Sequence, residues 1–122
     1  YELRECAVGV TNGALDFSCE KTGRYGGLVN RGASNFSQWD PEKAIQVKVV
    51  SANQVLEEVL SWHKLVDIVK IDVEGYENKI LSHLKTEAIS QVSRIYAETE
   101  NDKKMPGFSS ERYSGLTRYY RI

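Results

Sequence analysis

Val66-Asp67-Ile68-Val69-Lys70-Ile71-Asp72-Val73-Glu74-Gly75-Tyr76-Glu77 is a near-continuous apolar run that closes on acids and a glycine. Its β-branched residues predict a strand over 66–73, of the kind buried on both faces of a parallel sheet. Beyond Gly75 the spacing of Ile80, Leu81 and Leu84 predicts a helix from about 75 or 76 to 85. Upstream, Ala44 to Val50 alternates as a strand with Ile45, Val47 and Val49 on one face. Ser51 and Gln54 fit a capping box. Behind them Ala52, Val55, Leu56, Val59, Leu60 and His63 recur at helical spacing, which predicts a helix over 52–63. Downstream, Val92 to Thr99 reads as a strand, 109–119 as a helix, and Tyr120-Arg121-Ile122 as a last short strand. From Ala44 onward the order strand, helix, strand, helix, strand, helix predicts an α/β parallel sheet.

The N-terminal third reads differently. Leu3 to Val10 and Leu15 to Cys19 flank Thr11-Asn12-Gly13-Ala14, and Asn-Gly between apolar runs predicts a β-hairpin. A two-residue loop there would set Cys6 opposite Cys19 at a position where side chains lie closest. In a reducing cytoplasm that pair is expected as packed thiols rather than a disulfide. Residues 20–43 carry Gly23, Gly26, Gly27, Gly32 and Pro41 and show neither period, so a long loop is expected. The whole is expected as a single domain over 1–122.

Bulk composition excludes several function classes. With 41% hydrophobic and 27% charged residues among 122, the chain is an ordinary globular one. Its formal net charge of −1 gives no support for a nucleic-acid partner. No apolar run reaches the roughly 20 residues of a membrane span, and no signal-peptide pattern opens the chain. A cytoplasmic protein is therefore expected. His63 and His83 have no Cys or His companions at ligand spacing, which argues against zinc.

Candidate chemistry sits where the strand over 66–73 hands over to its helix. Ligands of open α/β sheets bind beyond the carboxyl ends of the strands. Asp72 and Glu74 lie at one such end, and the next strand closes on Ala97-Glu98-Thr99-Glu100. Sequential strands usually neighbour one another, so these acids are expected on one rim, with Lys70 as counter-charge. Acids at strand ends also cap helices and favour their dipoles. Spacing alone leaves both readings open.

The segment from Val66 to Glu77 resembles the KIDVEG-x-E signature of the FkbM methyltransferases. Its surroundings are similar as well: the strand and helix within Val47 to Leu60 before it, the helix within Glu77 to Leu84 after it, and Arg94 to Glu100 as the following strand. Cys6-Ala7-Val8-Gly9 through Gly13 to Phe17 resembles the family's upstream hairpin. The resemblance covers most of residues 3–100. It implies a partial Rossmann-like, class I methyltransferase sheet with a β-hairpin insertion. It further implies S-adenosylmethionine as methyl donor and, as acceptor, a hydroxyl of a sugar, lipid or secondary metabolite.

By the same resemblance Asp72, Glu74 and Glu98 are the expected catalytic residues, and Asp72 and Val73 are expected to meet the cofactor. Arg24, Tyr25, Asn30, Arg31 and Trp39 in the loop are expected to help bind substrate. Asp72, Glu74 and Glu98 are also similar to the acidic metal site of catechol-type O-methyltransferases, which would take a divalent ion such as magnesium. The glycine-rich loop and second-strand acid that build most of the family's donor site are not found here. The chain is thus expected to start at the family's third strand, as a fragment inactive alone whose parent is the enzyme. An exposed sheet edge, and hence self-association, is expected to follow. The alternative is a non-catalytic α/β module whose acids serve folding or partner binding.

Overall fold

Gly9 leaves room where two strands of the N-terminal part meet: a Cβ added there would lie 2.8 Å from the Val49 Cγ1 methyl, which would have to shift. The computed structural model describes residues 1–19, 26–28, 44–99 and 104–122, and it divides into two compact units, Tyr1–Ser51 and Ala52–Ile122.

In the first unit, β1 (Ala7–Gly9), β2 (Gly13–Cys19), β3 (Gly26–Leu28) and β4 (Ile45–Ser51) form a four-stranded sheet in the order β1-β4-β2-β3. β1 runs parallel to β4, with Ala7 opposite Val49 and Gly9 opposite Ser51. β2 runs antiparallel to β4, from Gly13 opposite Val49 to Phe17 opposite Ile45. The Asn-Gly hairpin is therefore not formed, because β4 lies between its two expected arms. Asn12 serves another purpose: its Oδ1 accepts a hydrogen bond from the Ser51 backbone N–H at 2.8 Å and so holds the end of β4. The Cys6–Cys19 juxtaposition lapses with the hairpin; Cys6 is a free, half-buried thiol. The expected loop over 20–43 also contains structure, since Gly26 to Leu28 pairs antiparallel with Phe17 to Cys19.

The second unit opens with α1 (Ala52–Trp62), as its helical spacing predicts, and Leu56 is its buried residue. β5 (Val66–Ile71) follows, then α2 (Glu77–His83), α3 (Thr86–Ile89) and β6 (Val92–Glu98). The single helix expected to about 85 is two, because Leu84 and Lys85 are extended, with ψ of 129° and 135°. Asn53 explains why the break holds. Its Nδ2 donates to His83 O at 2.7 Å and its Oδ1 accepts from Lys85 N at 2.8 Å, which ties α1 to the break.

The helix expected over 109–119 is instead a hairpin of β7 (Phe108–Tyr113) and β8 (Leu116–Arg121). Its two-residue loop, Ser114-Gly115, has φ of 46° and 93°, the paired positive values that a type I′ turn requires. The sheet order is β5-β6-β8-β7. β5 and β6 are parallel, and β8 is antiparallel to both of its neighbours. The sheet is mixed, and β4 belongs to the other sheet. The fold is α/β with mixed sheets, compatible with a methyltransferase-like architecture.

Among the described residues β5 ends its sheet, and its burial is not that of a strand covered on both faces, as its composition suggested. Ile68 is 54% exposed, while Ile71 at the strand's end is buried. The core of this unit gathers on one face of β6 and β8, where Ile95, Ala97, Thr117 and Tyr119 are fully buried, together with Ile80, Leu81 and Ile89 from the helices. No helix among the described residues is long and apolar enough to cross a membrane.

Candidate active site

After Ile71 the chain turns sharply, and the turn depends on two left-handed residues, Glu74 (φ 49°) and Gly75 (φ 90°). Gly75 adopts this conformation without a Cβ penalty, whereas Glu74 does so at a cost of about 1 kcal/mol. What holds the turn is Glu77, the first residue of α2 and only 3% exposed. Its Oε1 accepts the Val73 backbone N–H and its Oε2 accepts the Gly75 N–H, each at 2.9 Å. A carboxylate here also meets the positive end of the helix dipole. Tyr76, the cap residue, makes no side-chain capping bond, so Glu77 performs that task from inside the helix.

Asp72 turns away to Lys70, with Oδ2 at 2.8 Å from Nζ. The Asp72 carboxylate, first by this hydrogen bond and then by its charge, holds the Lys70 ammonium above its ordinary pKa. Both side chains are exposed, so the pair adds little to stability.

Beside the turn lies a cleft of about 370 Å³. It is lined by Glu74 and Gly75 of the turn, Glu77 and Asn78 of α2, Glu98 and Thr99 at the end of β6, and Arg112 and Gly115 of the β7–β8 hairpin. Parallel pairing of β5 with β6, Ile71 opposite Ala97, is what brings the two strand ends to one rim. Thr99 is buried and anchored: its hydroxyl lies 2.7 Å from that of Thr117, and its N–H donates to Gly115 O at 3.2 Å. Asn78 Oδ1 is shielded from solvent and accepts no hydrogen bond. Replacing Thr117 by valine would leave the Thr99 hydroxyl unpaired in the core. A loss of about 1–3 kcal/mol is expected, read as a lowered urea midpoint at constant slope.

Of the residues expected from sequence, Glu74 and Glu98 share this cleft, while Asp72 and Val73 do not line it. Arg24, Tyr25, Asn30, Arg31 and Trp39 lie outside the described residues. Among the described residues no three His, Cys, Asp or Glu side chains gather as metal ligands, so the Asp72, Glu74 and Glu98 metal set is not formed. The physical reasons are local: Asp72 is committed to Lys70, and the left-handed backbone at Glu74 breaks the strand alternation that would have aligned it with Asp72.

Glu77, Asn78, Thr99, Arg112 and Gly115 were not expected as site residues. For Arg112 and Gly115 the signal was the Ser114-Gly115 dipeptide, a type I′ turn former between two six-residue strands. The cleft joins carboxylates, an orphan amide carbonyl and one guanidinium. It offers acceptors for hydroxyl or cationic donors, and a carboxylate placed to take a proton.

A family model described as the methyltransferase FkbM domain matches residues 2–113. No curated protein and no solved structure matches the chain.

Proposed function

Since the chain belongs to the FkbM methyltransferase domain family, matched over residues 2–113, we propose that it serves an S-adenosylmethionine-dependent O-methyltransferase acting on a hydroxyl of a small sugar, lipid or secondary metabolite. The observation that supports this most is the meeting of Glu74 and Glu98 in one cleft at the ends of two adjacent parallel strands. Glu74 holds its place in a strained backbone conformation, and such strain concentrates at functional sites.

The carboxylates of the cleft suit an acceptor that carries hydroxyl groups, since Glu74 and Glu98 both line it and can accept hydrogen bonds from them. Asp72, exposed beside the turn, would meet the positively charged donor through the oxygen that Lys70 does not hold. The Val73 N–H, by contrast, is already engaged by Glu77. When bound, S-adenosylmethionine supplies an activated methyl group.

The protein's part is orientation and proton removal. Glu98, on the end of a strand, accepts a hydrogen bond from the acceptor hydroxyl and takes its proton as the oxygen becomes nucleophilic. Glu74, on the turn, holds the acceptor. Glu77 acts one step back, by fixing the turn that places Glu74. The test is methyl incorporation from deuterated donor into hydroxyl acceptors by the polypeptide that carries this domain. Mass shifts on acceptor oxygens support the reading, and shifts only on nitrogen or carbon contradict it.

The same reading proposes self-association. Among the described residues β5 pairs only with β6, and Ile68 on it is exposed, an invitation to strand pairing. Light scattering of these 122 residues is expected to give a dimer or larger, and Ile68→Lys to shift it toward monomer. A monomeric wild-type chain at high concentration contradicts it.

A further inference from the structure

The outer face of the β6–β8 pair carries a pattern that methyl transfer does not use. In the register of these antiparallel strands Arg94 stands opposite Tyr120 and Tyr96 opposite Arg118. Arginines and tyrosines therefore alternate across the pair, on the face opposite the fully buried Ile95 and Tyr119. They line a shallow cleft of about 620 Å³, together with Ser93 and Arg121. Three guanidinium groups and no carboxylate border it.

The three arginines are not equally occupied. Arg121 donates from Nε to Val92 O at 3.2 Å and from an Nη to Ile89 O, and it stacks over the Phe108 ring. Two of its five N–H donors are thus engaged by carbonyls, and its charge remains. Arg118 pairs through one Nη with Glu111 Oε2 and lies over the Tyr120 ring, but its Nε is shielded from solvent and has no hydrogen-bond partner. Arg94 is exposed and makes no ion pair or hydrogen bond among the described residues.

Two of these charges, Arg94 and Arg118, sit diagonally on paired strands, within reach of one another for side chains of this length. Like charges so placed repel unless an anion lies between them. Glu111 offsets one arginine of the three. Guanidinium forks match tetrahedral oxyanions, which can accept from two arginines at once, and flat tyrosine walls suit the organic part that such a group is attached to.

We infer that this cleft binds a phosphate-type oxyanion, held between the guanidinium groups of Arg94 and Arg118 with Tyr96 and Tyr120 alongside. The anion belongs either to a soluble phosphate ester or to the headgroup of an acidic phospholipid. The inference does not depend on methyl transfer, since none of these residues lines the acidic cleft.

The full chain should be titrated calorimetrically with phenyl phosphate at constant ionic strength, and sedimented with phosphatidylcholine vesicles with and without phosphatidic acid. Binding in at least one arm is expected. It should weaken tenfold or more in Arg94→Gln and in Arg118→Lys, with circular dichroism unchanged. Arg94-dependent binding of phenyl phosphate alone assigns a soluble ester. Arg94-dependent sedimentation with phosphatidic acid alone assigns a lipid headgroup. The inference is overturned if neither probe binds, or if Arg94→Gln binds as tightly as the wild type.

Discussion

Glu77→Ala is expected to lower stability by about 3 kcal/mol, because it removes two charge-assisted hydrogen bonds from a buried carboxylate and leaves both backbone donors without partners. The Val73 and Gly75 N–H groups lie in a turn outside any helix or sheet ladder, and the Glu77 carboxylate is the acceptor of both. The same change is expected to mobilise Glu74 and thereby reduce methyl transfer, although Glu77 itself acts only through the turn. Glu77→Gln separates these effects. Its amide keeps one acceptor oxygen but sets an N–H₂ against the second backbone N–H, so an intermediate loss of about 1–2 kcal/mol is expected. Urea unfolding followed by circular dichroism measures both variants. Equal midpoints for wild type and Glu77→Ala would mean that the carboxylate does not hold the turn.

Much of the second unit was legible in the sequence because its signals are local. Helix α1 reports itself through the spacing of Val55, Leu56, Val59 and Leu60, and the strand character of Val66 to Ile71 through β-branching. What composition could not report was the strand's place in its sheet. A run such as Val66-Asp67-Ile68-Val69 reads the same at an edge as in the middle, because the number of neighbours is set by distant residues. The Asn12-Gly13 turn failed for a related reason. Its local preference for a hairpin lost to the pairing of both expected arms with β4, and Asn12 found a partner 39 residues away in Ser51.

The site was half legible. Glu74 and Glu98 follow from strand ends in a parallel sheet, a rule that needs only the order of elements. Arg112 and Gly115 were hidden because residues 109–119 also read as a helix. The short Ser-Gly signal that decides for a hairpin was outweighed by that longer pattern. Glu77 was visible in the signature yet had no evident role, since its partners are backbone groups of a turn whose shape sequence does not state.

The second large effect concerns Glu98. It ends β6, is exposed to the cleft, and takes no part in the Glu77 clamp or the Thr99–Thr117 pair. Glu98→Gln keeps size and hydrogen-bonding reach but removes the capacity to accept a proton. Loss of a positioned general base lowers turnover by about 10²- to 10⁴-fold, while an exposed strand-end substitution changes stability by only about 0.5 kcal/mol. Asp67→Asn, an exposed carboxylate on β5 that does not line the cleft, controls for general charge loss.

The central claim is that the cleft between Glu74 and Glu98 deprotonates a hydroxyl for methylation. Its most direct measurement is the turnover of methyl transfer from S-adenosylmethionine by the polypeptide carrying this domain, compared among wild type, Glu98→Gln and Asp67→Asn. A fall of at least a hundredfold in Glu98→Gln, with Asp67→Asn near wild type, is the predicted result. Wild-type turnover in Glu98→Gln, or an equal fall in both variants, would contradict it.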